Sequence, residues 1–174
     1  MTTRPAVVID ASVALSITLN EPEGPAAATA ISTWSRSGTR LLVPPQFWLE
    51  VANSLITKAH WSGEAILGAI HALDELQLET INLGRALVVL AIDLAERHGL
   101  TVYDAGYLAL AVSMDASIAT FDVALRDAAG PRSVHPGPTR LSETAAPYEH
   151  TVTWPDYKGA SAFLATLRAE AARP

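Results

Sequence analysis

The chain has 174 residues, no Cys, a formal net charge of −6 and a hydrophobic share of 49%. That length fits one domain with an appended segment, and the apolar share fills a core without staples. The missing thiols exclude disulfides and thiolate metal sites, and the acidic balance excludes a general nucleic-acid coat protein, though not a nuclease that grips its substrate locally.

In chain order, Ala6–Ile9 is an apolar, β-branched run that predicts a buried strand, ended by Asp10. Val13–Leu19 and Pro25–Trp34 predict helices separated by Asn20-Glu21-Pro22. Arg40–Val43 predicts a second strand, stopped by Pro44-Pro45, and Phe47–His60 predicts a helix that carries Glu50. Ser62-Gly63-Glu64 opens a further helix through Leu76. Leu78–Leu83 alternates apolar and polar residues, as a partly exposed strand does. Arg85–His98 predicts a helix closed by Gly99, and Asp104–Met114 the next one. Ile118–Phe121 predicts a buried strand, Val123–Ala129 a short helix and Arg132–His135 a last strand.

Short strands alternating with helices imply parallel pairing and an α/β class fold, a three-layer α/β/α sandwich with a mostly parallel central sheet. After Gly130 the character changes. Pro131, Pro136, Pro138, Pro147 and Pro155 punctuate a mostly polar stretch, and Tyr157–Ala172 then shows a helical pattern with Tyr157, Ala160, Phe163, Leu164 and Leu167 on one side. We therefore divide the chain into a domain over 1–136 and an appendage over 137–174. The longest apolar run, Ala86 to Ile92, is too short to span a bilayer. The N-terminal apolar stretch is interrupted by Asp10 and does not read as a signal peptide, so a cytoplasmic location is expected.

In a parallel sheet the functional crevice lies at the carboxyl ends of the strands. Asp10 and Asp122 fall at such ends, Asp104 at a predicted helix N-terminus, and Glu50 one turn into the helix after the second strand. Each has a local alternative. Asp104 suits a helix start, Asp122 an N-cap, Asp10 a turn and Glu50 a solvated helix face. Their joint placement at one end of the sheet favours a shared site.

Carboxylates gathered in one crevice repel. At ~5 Å and an effective dielectric of about 20, each ionised pair costs roughly 3 kcal/mol, so some protonate or a cation binds. Oxygen-only ligands favour the hard cations Mg²⁺ or Mn²⁺. The chemistry expected is hydrolysis of a phosphate ester by a metal that lowers the pKa of water and polarises the phosphoryl group. Ser12 and Thr120 stand two residues from Asp10 and Asp122, where a hydroxyl orients water or caps the backbone. Asn53 lies one turn from Glu50, and Arg126 one turn from Asp122, where it meets a scissile phosphate or forms a surface ion pair. The five His have no pairing motif, and no Gly-rich phosphate loop is present.

These motifs resemble those of the PIN-domain ribonucleases, and among them the VapC-type toxins of bacterial type II toxin–antitoxin pairs. The resemblance runs from Val7 to Pro136. It is carried by Val8-Ile9-Asp10-Ala11-Ser12, by Glu50-Val51-Ala52-Asn53, by the segment from Tyr103 to Ala111, and by Thr120-Phe121-Asp122-Val123-Ala124-Leu125. It implies Mg²⁺- or Mn²⁺-dependent endoribonuclease activity, homodimerisation and inhibition by a co-encoded antitoxin. The family's acidic quartet then falls on Asp10, Glu50, Asp104 and Asp122 as catalytic and metal-binding residues, and its supporting polar positions on Ser12, Asn53 and Thr120, with Arg126 nearby. Ile17, Leu19 and Trp34 on the early helices are expected anchoring ground for the antitoxin. Gly106 replaces a larger residue, at a helix cost of about 1 kcal/mol relative to Ala.

Two rival classes are weighed. An acid-site phosphate hydrolase with an Asp nucleophile wants Asp-x-Asp after its first strand, whereas position 12 is Ser; a phosphate-accepting receiver domain wants a Lys after a late core strand, and Lys158 lies in the appendage. A non-catalytic PIN-like binding module loses one or more of the acids, and all are present here.

Overall fold

The computed structural model describes residues 4–137. The appendage predicted over 137–174, with its stripe from Tyr157 to Leu167, lies outside the described residues apart from Gly137.

Five strands form one sheet in the order β3-β2-β1-β4-β5. They are β1 (Ala6–Ile9), β2 (Arg40–Val43), β3 (Glu79–Thr80), β4 (Ser117–Ala119) and β5 (Ser133–Val134), and every pairing is parallel. β1 and β2 form because both read as short apolar runs and both are buried on their last three residues. A strand buried on both faces needs no alternation, and the crossovers of a parallel sheet supply its cover. Those crossovers are α1 (Ala11–Thr18), α2 (Gly24–Arg36), α3 (Gln46–Thr57), α4 (Gly63–Asp74), α5 (Arg85–His98), α6 (Val102–Ser113) and α7 (Val123–Ala129).

The chain leaves β1 towards β2 and β3, then returns to the other side of β1 for β4 and β5. The order therefore reverses between β1 and β4, and the carboxyl ends of those two strands flank the crevice where ligands bind in such sheets. The register sets Ile9 beside Ala119, and the Asp10 amide donates to the Ala119 carbonyl at 3.0 Å. Asp10 therefore leaves the sheet at the switch point itself.

α6 decides how that end is covered. Its residues from Ala105 to Ala111 are all buried, the pattern of a helix enclosed on more than one side. Leu108, Leu110 and Tyr107 join the main core, while Ala105 and Ala109 pack with Ala91 and Ala95 of α5. Small residues on both helices allow that close approach. Gly106 belongs to the same packing: a methyl group there would come within 2.5 Å of the Gln46 side-chain nitrogen at the start of α3. The glycine costs helix propensity and leaves room for the end of the Gln46 side chain. Gly24 leaves room in the same way between α1 and α2, where a Cβ would press into the Ser16 carbonyl.

Several predicted boundaries move, most by one to three residues, among them these. The strand expected over Leu78–Leu83 is reduced to Glu79–Thr80, since an edge strand has a partner on one side alone. The strand expected over Ile118–Phe121 ends at Ala119, because the Thr120 hydroxyl and the Phe121 amide are used in the loop that follows. α6 begins at Val102, not Asp104, because Thr101 caps it by accepting from the Asp104 amide at 3.1 Å. The side chains expected to anchor a partner, Ile17, Leu19 and Trp34, are partly buried against the core. The large apolar side chains in solvent lie elsewhere, among them Leu49 on α3 and Val88, Val89 and Ile92 on α5.

Candidate active site

Asp10 sits directly after β1 and caps α1, accepting from the Ser12 amide at 3.2 Å. Its side chain is 5% exposed. Two hydroxyls also donate to the same oxygen, Oδ2: Ser12 Oγ, and Thr120 Oγ1 at 2.9 Å. Both hydroxyls are themselves fixed by the β4–α7 loop. The Phe121 amide donates to Ser12 Oγ at 3.0 Å, and the Asp122 amide donates to Thr120 Oγ1 at 2.9 Å. Each hydroxyl thus accepts a hydrogen bond from a backbone amide and donates its own to Asp10. The hydroxyl protons of Ser12 and Thr120 are directed at a carboxylate, not at water. Burial raises the Asp10 carboxyl above the usual Asp value, and the donors from Ser12 and Thr120 oppose that rise without cancelling it.

Glu50 projects from α3, and its Oε2 accepts from the Tyr107 hydroxyl of α6 at 2.9 Å. Its other oxygen, Oε1, is buried and has no hydrogen-bond partner among the described residues. Burial raises the Glu50 carboxyl to about 7; the Tyr107 hydrogen bond opposes this, and the charges of Asp10 and Asp104 add to it. Tyr107 is fully buried, and burial together with the charges of Glu50 and Asp10 pushes its hydroxyl well above the usual Tyr value, so it stays a donor. Within the segment from Tyr103 to Ala111, Tyr107 is given no role by the sequence analysis. The signal was its spacing: three residues after Asp104, it shares a helix face with that acid.

Asp104 lies in the first turn of α6 and accepts from Thr101 Oγ1 at 2.7 Å. It is close enough to act electrostatically on Glu50. Asp122 caps α7, its Oδ1 accepting from the Leu125 amide at 2.7 Å. It joins the site through its backbone amide and Thr120. The N-cap role weighed for Asp122 is therefore present, and Asp10, weighed as a turn residue, also caps a helix while buried beside a second carboxyl. Asn53 is exposed on α3, and Arg126 is exposed and lies 3.9 Å from Asp127. The surface ion pair considered for Arg126 is the contact found.

The fit to a divalent cation is mixed in geometry and good in chemistry. Among the described residues, no group of three or more His, Cys, Asp or Glu side chains is drawn onto one point. Each carboxylate is taken up by its own donor: Ser12 and Thr120 for Asp10, Tyr107 for Glu50, Thr101 for Asp104 and Leu125 for Asp122. Yet a buried carboxylate oxygen with no partner is costly, and Glu50 Oε1 is such an atom beside two further acids. A hard cation would satisfy that oxygen and offset the repulsion.

The comparisons agree with this architecture. The sequence matches the PIN domain over residues 7–131. The chain belongs to the PIN domain family. Domains of this family generally use divalent metal ions. Solved structures share the fold at low identity. A toxin–antitoxin complex from Klebsiella pneumoniae is 21% identical with a TM-score of 0.58, covering 75% of this chain and 97% of that one. The Mycobacterium tuberculosis toxin VapC20, described as cleaving the sarcin–ricin loop, is 16% identical with a TM-score of 0.57, covering 71% and 95%. A Pyrobaculum aerophilum protein is 19% identical with a TM-score of 0.55, covering 75% and 89%. None of the curated proteins compared matches the chain. Among the described residues, no helix of this PIN domain is long and apolar enough to cross a membrane.

Proposed function

We propose that this PIN domain is a divalent-metal-dependent endoribonuclease and the toxin of a toxin–antitoxin pair. The observation that carries the reading is the buried, unpartnered Glu50 Oε1 beside Asp10 and Asp104 at the strand-order switch. A toxin–antitoxin complex and the toxin VapC20 among proteins of the same fold support the toxin assignment.

Asp10 and Glu50 would hold Mg²⁺ or Mn²⁺, with Asp104 and Asp122 at the rim of the crevice. When bound, such an ion supplies positive charge to the scissile phosphate and acidity to water. The chain's own residues do the rest. Ser12 and Thr120 hold Asp10 in one orientation, and the loop from Thr120 to Asp122 ties α7 to the same end of the sheet. Net negative charge weakens general attraction to RNA, so productive contacts concentrate at the crevice. An antitoxin that sets a cation against these acids would switch the enzyme off. The exposed apolar side chains Val88, Val89 and Ile92 of α5 support a homodimer, since a second copy would cover them.

Purified full-length protein is expected to cut structured RNA in Mg²⁺ or Mn²⁺ and to stop in EDTA. Equal cleavage in metal-free buffer, with the fold intact, rejects the mechanism.

A further inference from the structure

We propose that Tyr107 is a positioning residue that holds Glu50 for one-oxygen ligation of the cation, fixing Oε2 so that Oε1 faces the site. The proposal rests on the metal-dependent reading above. Tyr107 is the largest fully buried side chain of the domain, and a buried phenol needs a hydrogen-bond partner. An aliphatic residue would fill the same core position without that demand. The hydroxyl meets Glu50 across 57 positions of sequence, linking α6 to α3. A carboxylate with both oxygens free can rotate and ligate through either or both. Here the donated proton pins Oε2, and the remaining oxygen is buried with no donor among the described residues.

The same arrangement ties two of the acids into one frame. Tyr107 follows Asp104 by one turn of α6, so a single helix carries one acid and the donor that orients another. One turn before Glu50, the Gln46 side chain lies against Gly106 and donates to the Tyr103 carbonyl of α6 at 3.5 Å. Donors that orient ligating side chains typically change metal affinity 10–100-fold when removed.

The test is calorimetric Mn²⁺ binding to the full-length wild type, Tyr107→Phe, Glu50→Gln and the double variant, with the fold checked by circular dichroism. Tyr107→Phe is expected to weaken Mn²⁺ binding about tenfold or more, and to have no further effect in the Glu50→Gln background. That non-additivity is the signature of an action through Glu50. Wild-type affinity in Tyr107→Phe overturns the proposal while leaving the metal site standing. So does an equal loss in both backgrounds, which marks a packing role. Absence of Mn²⁺ binding by the wild type overturns the metal reading and this inference with it. If Tyr107→Phe alone unfolds, the double variant, which strands no buried charge, is expected to fold; its failure to do so also overturns the proposal.

Discussion

Asp10→Asn is expected to lower RNA cleavage by about two orders of magnitude or more, the size seen when a preorganised charged group is removed from a reacting centre. The substitution keeps volume, keeps an oxygen to accept from Ser12 and Thr120, and keeps a good helix cap. What it removes is charge. Because burial outweighs the three donors and raises the Asp10 carboxyl, the ionised side chain is a burden on the metal-free fold. Its neutral replacement should leave metal-free stability unchanged or higher. Turnover near that of the wild type, in a folded variant, would reduce Asp10 to a helix cap.

Glu50→Gln is expected to weaken metal binding to a level that calorimetry still reads, since Asp10 and Asp104 keep their charge, and to change how stability depends on pH. The Glu50 carboxyl is raised from 4.5 to about 7 in the fold, so the folded state binds more protons than the unfolded chain between those values. Stability therefore falls as pH rises through that window. At full strength such a shift is worth about 3 kcal/mol; the side chain is only part-buried, and solvent screening reduces this to about 1–2 kcal/mol. Asp10 acts in the same direction. In EDTA, the wild type should melt several degrees lower at pH 8 than at pH 5 from these groups, and Glu50→Gln should flatten much of that slope. A wild type with no such slope, or a variant with the same one, contradicts the assigned environment of Glu50. Excess Mn²⁺ should stabilise the wild type most at pH 8, where the carboxylates are ionised.

What was legible in the sequence is what local chemistry decides. β1 and β2 are read to the residue because Asp10 and Pro44-Pro45 end their apolar runs. α5 is read to the residue because Gly99 closes it in the left-handed conformation, with φ of 66°. α6 starts two residues before Asp104, because Thr101 and Asp104 stand at capping spacing and Asp104 falls inside the first turn. β3 and β4 were drawn too long because strand ends depend on neighbours. For the site, placing Asp10 at a strand's carboxyl end sufficed to put it in the crevice. Asp122 was read at a strand end too, yet lies past β4 as the cap of α7. The links among residues were not readable. Thr120 donates to Asp10 across 110 positions and Tyr107 to Glu50 across 57, contacts that exist only once the sheet order and the α3–α6 packing are set. Arg126, placed by spacing beside Asp122, turns outward in solvent, since a helix's spacing fixes a face but not the direction of a long side chain.

The most direct measurement is anomalous diffraction at the manganese edge from crystals of the full-length protein soaked in Mn²⁺. The account predicts a peak at the carboxyl ends of β1 and β4, within ligand distance of a carboxylate oxygen of Asp10 and of Glu50 Oε1. A crevice without a peak at saturating Mn²⁺, or one bound away from both side chains, contradicts it.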